Sequence, residues 1–325
     1  MALFFPYRKV RVRTIEFHQR GADMPSKTKQ LAENALMLGL ALVFLFLSTY
    51  TVLGVVTVFL IPLPFLLLGQ RSSISNMVWV TLAFTVMGIL IADITSAVIA
   101  LISAALGAVM GIMYSKKGKA LPAIIAGAAV VFLGYVLMLV ILIFVMKINF
   151  QDILKQAEQF RPEIMPVEQY KAYTELFMMI LPGVFVTSSF AQSMVTHGLG
   201  RLIGKRLKRP VPALMPIRQW NFPRSLLYYY FIAMIGILVF SVNLKGTFWE
   251  SALYNVKMIL DIVFFLQGLS FCLFAADLYG WKKMTPVLIV SLFIFPFLST
   301  ILSLIGIFDL GIRLRDKLET RVKRG

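Results

Sequence analysis

The feature that most constrains this chain is a series of apolar runs joined by short connections. A helix needs about 20 residues to cross a hydrocarbon core of roughly 30 Å, and the runs have this length. A transmembrane barrel would show alternating polarity over segments of about ten residues, which the chain lacks. Hydrophobic residues make up 59% of the chain and charged residues 14%, far from the composition of a soluble domain. We therefore predict an all-α, polytopic transmembrane helical bundle.

Hydropathy predicts eight or nine membrane segments. They cover residues 31–48, 52–69, 74–92, 95–114, 120–146, 174–196, 226–244, 253–276 and 285–308. The last segment contains Pro296 near its middle, and proline removes a backbone donor and kinks a helix. It is therefore either a hairpin that returns to the side from which it came or a full crossing that leaves the basic C-terminal tail outside.

The segments divide the chain into five regions with distinct composition. These are a basic tail (1–30), a six-span membrane module (31–196) with an external amphipathic loop (147–173), a basic loop (197–225), a C-terminal membrane block (226–308) and a basic tail (309–325).

The net charge of +17 lies almost entirely in the connections and tails. Lys and Arg in short connections are retained on the cytoplasmic side, so their positions predict a multi-pass membrane protein with a cytoplasmic N-terminus. A basic patch for nucleic acid would lie on one soluble face. We therefore expect the lipid bilayer and its anionic lipids as partners, and no nucleic acid.

The basic loop HGLGRLIGKRLKRPVPALMPIRQWNFPRS, residues 197–225, resembles a phosphate-binding loop only superficially. Leu199 replaces the first glycine of that motif and Arg206 replaces its hydroxyl residue. Basic clusters beside membrane spans attract anionic headgroups by about 1 kcal/mol per residue, so the loop is predicted to bind anionic lipid or a partner. The residues assigned to this role are Arg201, Lys205, Arg206, Lys208, Arg209 and Arg218.

The chain shows no pattern typical of a catalytic, metal or cofactor site. Its single cysteine is Cys272, its two histidines are His18 and His197, and neither HExxH nor GxSxG occurs. We expect no enzyme activity, no metal site and no cofactor.

Ionisable residues inside predicted spans are the best candidates for a binding site, because a charge near the bilayer centre costs roughly 2.5 to 3.5 kcal/mol. Lys257 and Asp261 are four residues apart, so they share one helix face. Together with Asn255 and Gln267 they form a candidate polar pocket; the alternative is a structural ion pair. Asp309 falls at a segment boundary, where charge costs less, and receives no role.

Small residues at four-residue spacing predict close helix contacts. The fourth span carries rows of them, including Ala104, Gly107 and Gly111. Ala35 and Gly39 repeat the spacing on the first span and form a candidate face for docking another membrane protein; the alternative is packing within the chain.

Two segments, RQWNFPRSLLYYYFIAM (218–234) and GIFDLGIRLRDK (306–317), resemble the YybS-like family of bacterial polytopic membrane proteins. The layout of the first six spans is also similar to the fold shared by the S components of energy-coupling-factor importers and by MreD. The chain departs from that layout by its C-terminal membrane block.

The resemblance to S components implies a small-solute-binding or transport-associated subunit of the bacterial cell (inner) membrane. Such a subunit docks through Ala35 and Gly39 on an energy-coupling membrane protein with ATPases. The resemblance to MreD implies the alternative, a membrane scaffold that recruits cell-envelope or division proteins.

Overall fold

The computed structural model describes residues 27–149, 153–155, 158–159, 161–162, 164–281 and 283–324. Every regular element in these ranges is helical, so the predicted all-α class is confirmed. Most of the predicted N-terminal tail, parts of the predicted external loop and Gly325 lie outside the described residues.

The described helices are α1 (Lys27–Tyr50), α2 (Gly54–Thr57), α3 (Pro62–Gly69), α4 (Ile74–Ile91), α5 (Ile94–Lys117), α6 (Ala120–Val140), α7 (Val167–Arg206), α8 (Ser225–Leu244), α9 (Phe248–Leu278), α10 (Met284–Ile294), α11 (Leu298–Ile312) and α12 (Leu314–Arg324). A π-helical turn, Ile141–Val145, extends α6, and a 3₁₀ turn, Ile217–Gln219, precedes α8. Asp93 caps α5, as expected for an acidic residue at a helix start, because its Oδ1 accepts the backbone N–H of Ser96 at 2.8 Å.

Six of the described helical stretches are long and apolar enough to cross a bilayer. They are Gln30–Tyr50, Ile74–Ile91, Ile94–Lys116, Ala120–Val145, Val167–Arg206 and Phe248–Leu278. Three shorter apolar stretches accompany them: Gly54–Gly69, Ser225–Phe240 and Leu298–Ile312. The chain is therefore built as a multi-pass helical membrane protein, while the number of crossings stays a prediction.

The second predicted span, 52–69, is broken into α2 and α3. Pro62 occupies the first turn of α3, where its missing N–H leaves no intrahelical bond unmade. All of α3 is buried, and it lies against the small-residue face of α5. A Cβ on Gly107 or Gly111 would overlap the backbone of α3, so this face of the fourth span serves contacts within the chain.

Contacts between helix ends give the directions of the helices. Asn34 Nδ2 donates to Asn76 Oδ1 at 2.9 Å near the starts of α1 and α4, and Tyr50 Oη donates to the Ile91 carbonyl at 2.7 Å at their ends. These two helices therefore run parallel. We call the end of the bundle where α1 begins the basic end, because Arg209, from the loop after α7, reaches Glu33 there.

The last predicted segment, 285–308, is two helices, α10 and α11, separated at Phe295, Pro296 and Phe297. The predicted break at Pro296 is therefore present. Helix α11 runs parallel to α9, since Ser303 contacts the Asp261 carbonyl and Asp309 contacts Gln267, six residues further along both helices. The C-terminal end of α11 thus lies beside the C-terminal end of α9.

Candidate functional site

Lys257 and Asp261 form the ion pair that their spacing predicts. Lys257 Nζ lies 2.7 Å from Asp261 Oδ2, and the two side chains are 34% and 38% exposed. The ring of Tyr230 on α8 lies 5.8 Å from the same ammonium group. Asp261 stands close to the middle of the 31 residues of α9, so the open ion pair lies far from either helix end.

Asn255, predicted to line the same pocket, instead fastens α9 to α7. Its Oδ1 accepts the backbone N–H of Gly183 at 2.5 Å, and its Nδ2 donates to the carbonyls of Met179 and Ser251 at 2.8 and 2.7 Å. Its amide groups are therefore engaged in helix packing.

Gln267, the fourth predicted pocket residue, lies away from Lys257. The ten residues between them span about 15 Å of helix. Gln267 is 0% exposed and belongs to a second polar group at the basic end. Its Nε2 donates to Asp309 Oδ2 at 2.6 Å and to Asn221 Oδ1 at 3.2 Å, and its Oε1 accepts the backbone N–H of Phe222 at 3.0 Å.

This second group, which we call the Asp309 cluster, comprises Asn221, Gln267, Ser270, Asp309 and Arg315. Asp309 is 4% exposed, and its Oδ2 accepts from Arg315 Nε at 2.9 Å. Arg315 also donates to Ser270 Oγ at 2.9 Å and to the backbone carbonyl of Arg218 at 3.3 Å. A buried carboxylate is thus paired with a guanidinium and with a side-chain amide, as burial of a charge requires.

The Asp309 cluster joins the two segments on which the family resemblance rests. Asn221 and Phe222 come from the first segment, and Asp309 and Arg315 come from the second. Sequence reasoning missed both charged members, because Asp309 falls at a predicted segment boundary and its partner is six residues away. Arg313, with φ of 51°, ends α11 in the left-handed conformation and redirects the chain at the point where Arg315 contacts Asp309.

A close helix crossing holds the Asp309 cluster together. A Cβ on Gly268 of α9 would overlap the Leu302 carbonyl, and one on Gly306 of α11 would overlap the Phe264 carbonyl. The two glycines therefore let the backbones of α9 and α11 meet directly beside the cluster.

The predicted basic loop divides into exposed and engaged residues. Helix α7 continues through Arg206, so the first ten residues assigned to the loop are helical. Arg201, Lys205, Arg206 and Lys208 are exposed. Arg209 donates to the Leu67 carbonyl at 3.2 Å and lies 3.9 Å from Glu33, and Arg218 pairs with Asp277.

Arg209 holds the loop against α1 and α3. Burial lowers the pKa of its guanidinium, the positive charge of Arg71 lowers it further, and Glu33 opposes both. An arginine starts from so high a pKa that it stays charged at neutral pH. Arg209 therefore acts as a fixed cation inside the fold, whereas Arg201, Lys205, Arg206 and Lys208 are exposed.

The predicted docking face on α1 is open. Ala35 and Gly39 are exposed, and a Cβ on Gly39 would meet nothing within 4 Å. This contrasts with Gly107 and Gly111 of α5 and Gly306 of α11, each of which is covered by another helix of the chain.

No group of three or more His, Cys, Asp or Glu residues suited to hold a metal ion occurs in the part of the chain that the structure describes. The carboxylates of Asp261 and Asp309 face protein cations. The two polar groups are thus arranged for ion pairing.

A buried pair that sequence reasoning also missed joins α5 to α7. Tyr114 Oη lies 2.7 Å from His197 Nδ1, and both residues are 5% exposed. The lone histidine on α7 gave no signal, because its partner is 83 residues away.

We expect Tyr114→Phe to lower the free energy of unfolding by about 1 to 3 kcal/mol, because His197 Nδ1 then lacks a partner in the core. Unfolding in mixed detergent micelles measures this loss. Tyr50→Phe is the matched control, since it removes an exposed hydroxyl hydrogen bond and should cost less. Equal losses in the two variants would contradict a structural role for the buried pair.

The fold and its two polar groups define a class, the multi-pass helical membrane proteins. The family described as "Predicted membrane protein (DUF2232)" matches residues 38–310, and the chain belongs to this family. The chain is 28% identical to "Uncharacterized protein YybS" of Bacillus subtilis (strain 168) over 312 residues, which cover 90% of this chain and 99% of that protein. The predicted YybS-like membership is thereby confirmed. No solved structure matches the chain.

Proposed function

We propose that this protein binds a small polar solute within the membrane and takes part in its transport, without catalysing a reaction and without a cofactor. The observation that supports this most is the ion pair of Lys257 and Asp261, about a third exposed near the middle of an apolar helix. Charges left open to hydrocarbon at that depth are expensive, so such a pair needs water, a solute or a partner over it.

In the proposed topology the basic end is cytoplasmic. Positive residues are retained on that side, so the N-terminus lies on the cytoplasmic side of the bacterial cell membrane. Eight crossings then run from α1 to α9, with α2 and α3 together forming the second, and α10 and α11 form a hairpin that returns to the cytoplasm. In this arrangement α9 enters from the outer face, so a solute reaches the ion pair from outside.

The proposed site is smaller than the four-residue pocket predicted from the sequence. Asn255 and Gln267 are occupied by packing contacts, so the solute is left with Lys257, Asp261 and the nearby Tyr230. A cation and an anion side by side best complement a solute that carries both a hydrogen-bond acceptor and a donor. Energy comes from a partner in this proposal: the open face at Ala35 and Gly39 docks an energy-coupling membrane protein with ATPases.

The test is purification from native membranes in mild detergent, followed by mass spectrometry of bound small molecules. We expect a stoichiometric solute with the native chain and its loss from Lys257→Ala and Asp261→Ala. Lys171→Ala is the control, because Lys171 is an exposed lysine on α7. Retention of the same solute by both pair variants would contradict the proposal.

A charge-swapped variant, Lys257→Asp with Asp261→Lys, separates a binding role from a structural one. The swap keeps an i, i+4 ion pair on the same helix face. If the pair is purely structural, the swapped variant should regain the stability that the single variants lose. A solute site loses its solute in the swapped variant even where stability returns.

A second function, a membrane scaffold that recruits cell-envelope or division proteins, is supported by a different observation. Four exposed basic residues lie together at the end of α7 and directly after it: Arg201, Lys205, Arg206 and Lys208. In the scaffold these residues bind partner proteins or anionic lipids, and they play no part in binding nucleic acid. Neutralising all four to glutamine should release co-purifying envelope proteins while leaving any bound solute in place.

A further inference from the structure

A pocket of about 570 Å³ opens at the basic end, separate from the Lys257 and Asp261 pair. Its volume falls within the roughly 300 to 1,000 Å³ of small-molecule sites. Apolar side chains, including Leu273, Ala276 and Ile289, form most of its wall, and the Arg218 and Asp277 ion pair forms one edge. A cavity with an apolar wall and a charged edge suits an amphiphile.

The pocket exists because α10 diverges from its neighbours. Helix α10 has 11 residues, begins after the turn at Gly280 and contacts α9 and α11 only sparsely. The resulting wedge between α9 and α10 is closed at one end by the connection that carries Pro216 and Ile217. Such a wedge on the outside of a membrane bundle opens toward lipid.

Aromatic residues mark the depth of the pocket in the bilayer. Trp281 lines it, is 57% exposed and stacks on Tyr279 with ring centroids 5.3 Å apart. Exposed tryptophan and tyrosine side chains collect at the level of lipid headgroups. The charged edge of the pocket therefore lies among headgroups, and its apolar wall lies on the side of the acyl chains.

The charged edge selects the headgroup. The side chains of Arg218 and Asp277 are 45% and 56% exposed, so both can contact a ligand while paired with each other. The N–H donors of Arg218 that Asp277 does not use can bind a phosphate. The carboxylate of Asp277 can bind an ammonium group. A purely anionic headgroup would face repulsion from Asp277.

We propose that this pocket binds a phospholipid with a phosphoethanolamine headgroup. Its phosphate lies at Arg218, its ammonium group lies at Asp277, and one acyl chain lies along Ile289 and Ala276. This site is independent of the proposed solute site, because the sixteen residues between Asp261 and Asp277 span about 24 Å of α9.

The test uses the full chain, delipidated in mild detergent and then given phosphatidylethanolamine or phosphatidylglycerol, with bound lipid counted by native mass spectrometry. Ile289→Trp places a larger side chain from α10 in the pocket. It should lower phosphatidylethanolamine binding about tenfold, equivalent to about 1.4 kcal/mol. Val287→Trp is the control, since Val287 is an exposed residue of α10 outside the lining.

Asp277→Asn supplies a readout that misfolding does not imitate. It should reverse the preference from phosphatidylethanolamine to phosphatidylglycerol while total bound lipid stays within about twofold, because only the ammonium partner is lost. Soluble glycerophosphoethanolamine should not displace the lipid, since it lacks the acyl chains that contact the wall. Binding unaffected by Ile289→Trp, an unchanged preference in Asp277→Asn or displacement by the soluble headgroup would each overturn the proposal.

Discussion

Arg315→Ala should lower the free energy of unfolding by about 3 to 5 kcal/mol, because it leaves the Asp309 carboxylate buried without its cation. Asp309 is 4% exposed, and its other partner, Gln267, is neutral. The loss should also free the connection before α8, since Arg315 donates to the Arg218 carbonyl. Unfolding in mixed micelles measures the energy, and trypsin cleavage after Arg218 or Arg224 reports the loosened connection.

Two comparisons make this expectation specific. Lys317→Ala removes an exposed cation two residues further on and should change stability by less than about 0.5 kcal/mol. The double variant Asp309→Asn with Arg315→Met removes both charges and should recover much of the loss, because the penalty arises from the unpaired charge. If the double variant loses as much unfolding free energy as the two single variants together, Asp309 and Arg315 act independently.

Gly306→Ala should lower the stability of the protein about as strongly as Arg315→Ala, but for a steric reason. The added Cβ would overlap the Phe264 carbonyl, so α9 and α11 must separate and the cavity that results weakens the Asp309 cluster. We expect a large drop in monodisperse protein after detergent extraction and a lower unfolding temperature.

Gly311→Ala, five residues later in the same helix, is the matched control. A Cβ there meets nothing within 4 Å, so the substitution should stabilise α11 by about 0.4 to 1 kcal/mol. Opposite signs at the two glycines would show that the Gly306 effect comes from the helix crossing. Similar signs would indicate that α11 does not pack on α9 as described.

Local features of the chain were predictable from its sequence. The helical class follows from run length, the Asp93 cap from its place before a span, the Lys257 and Asp261 contact from four-residue spacing, and the break at Pro296 from its missing N–H. Each of these depends on residues within about one helical turn, where geometry is nearly fixed.

The Asp309 cluster was not predictable in the same way. Its partners come from three separate parts of the chain, and the burial of Asp309 depends on α11 running parallel to α9 across Gly268 and Gly306. The separation of Gln267 from Lys257 could have been predicted, because ten residues span about 15 Å on any helix. Asn255 is only two residues from Lys257, so the two side chains point to different sides of the helix. Its contact with Gly183 required knowing that α7 packs there.

The parallel course of α9 and α11 has a consequence for how the chain is made. Synthesis proceeds from the N-terminus, so Asn221, Gln267 and Ser270 are translated before Arg315. Until then the buried amide of Gln267 and, later, the carboxylate of Asp309 lack the guanidinium that neutralises the cluster. Arg315 is therefore the last member of the cluster to be synthesised, and the charge of Asp309 can be neutralised within the chain only after Arg315 has been added.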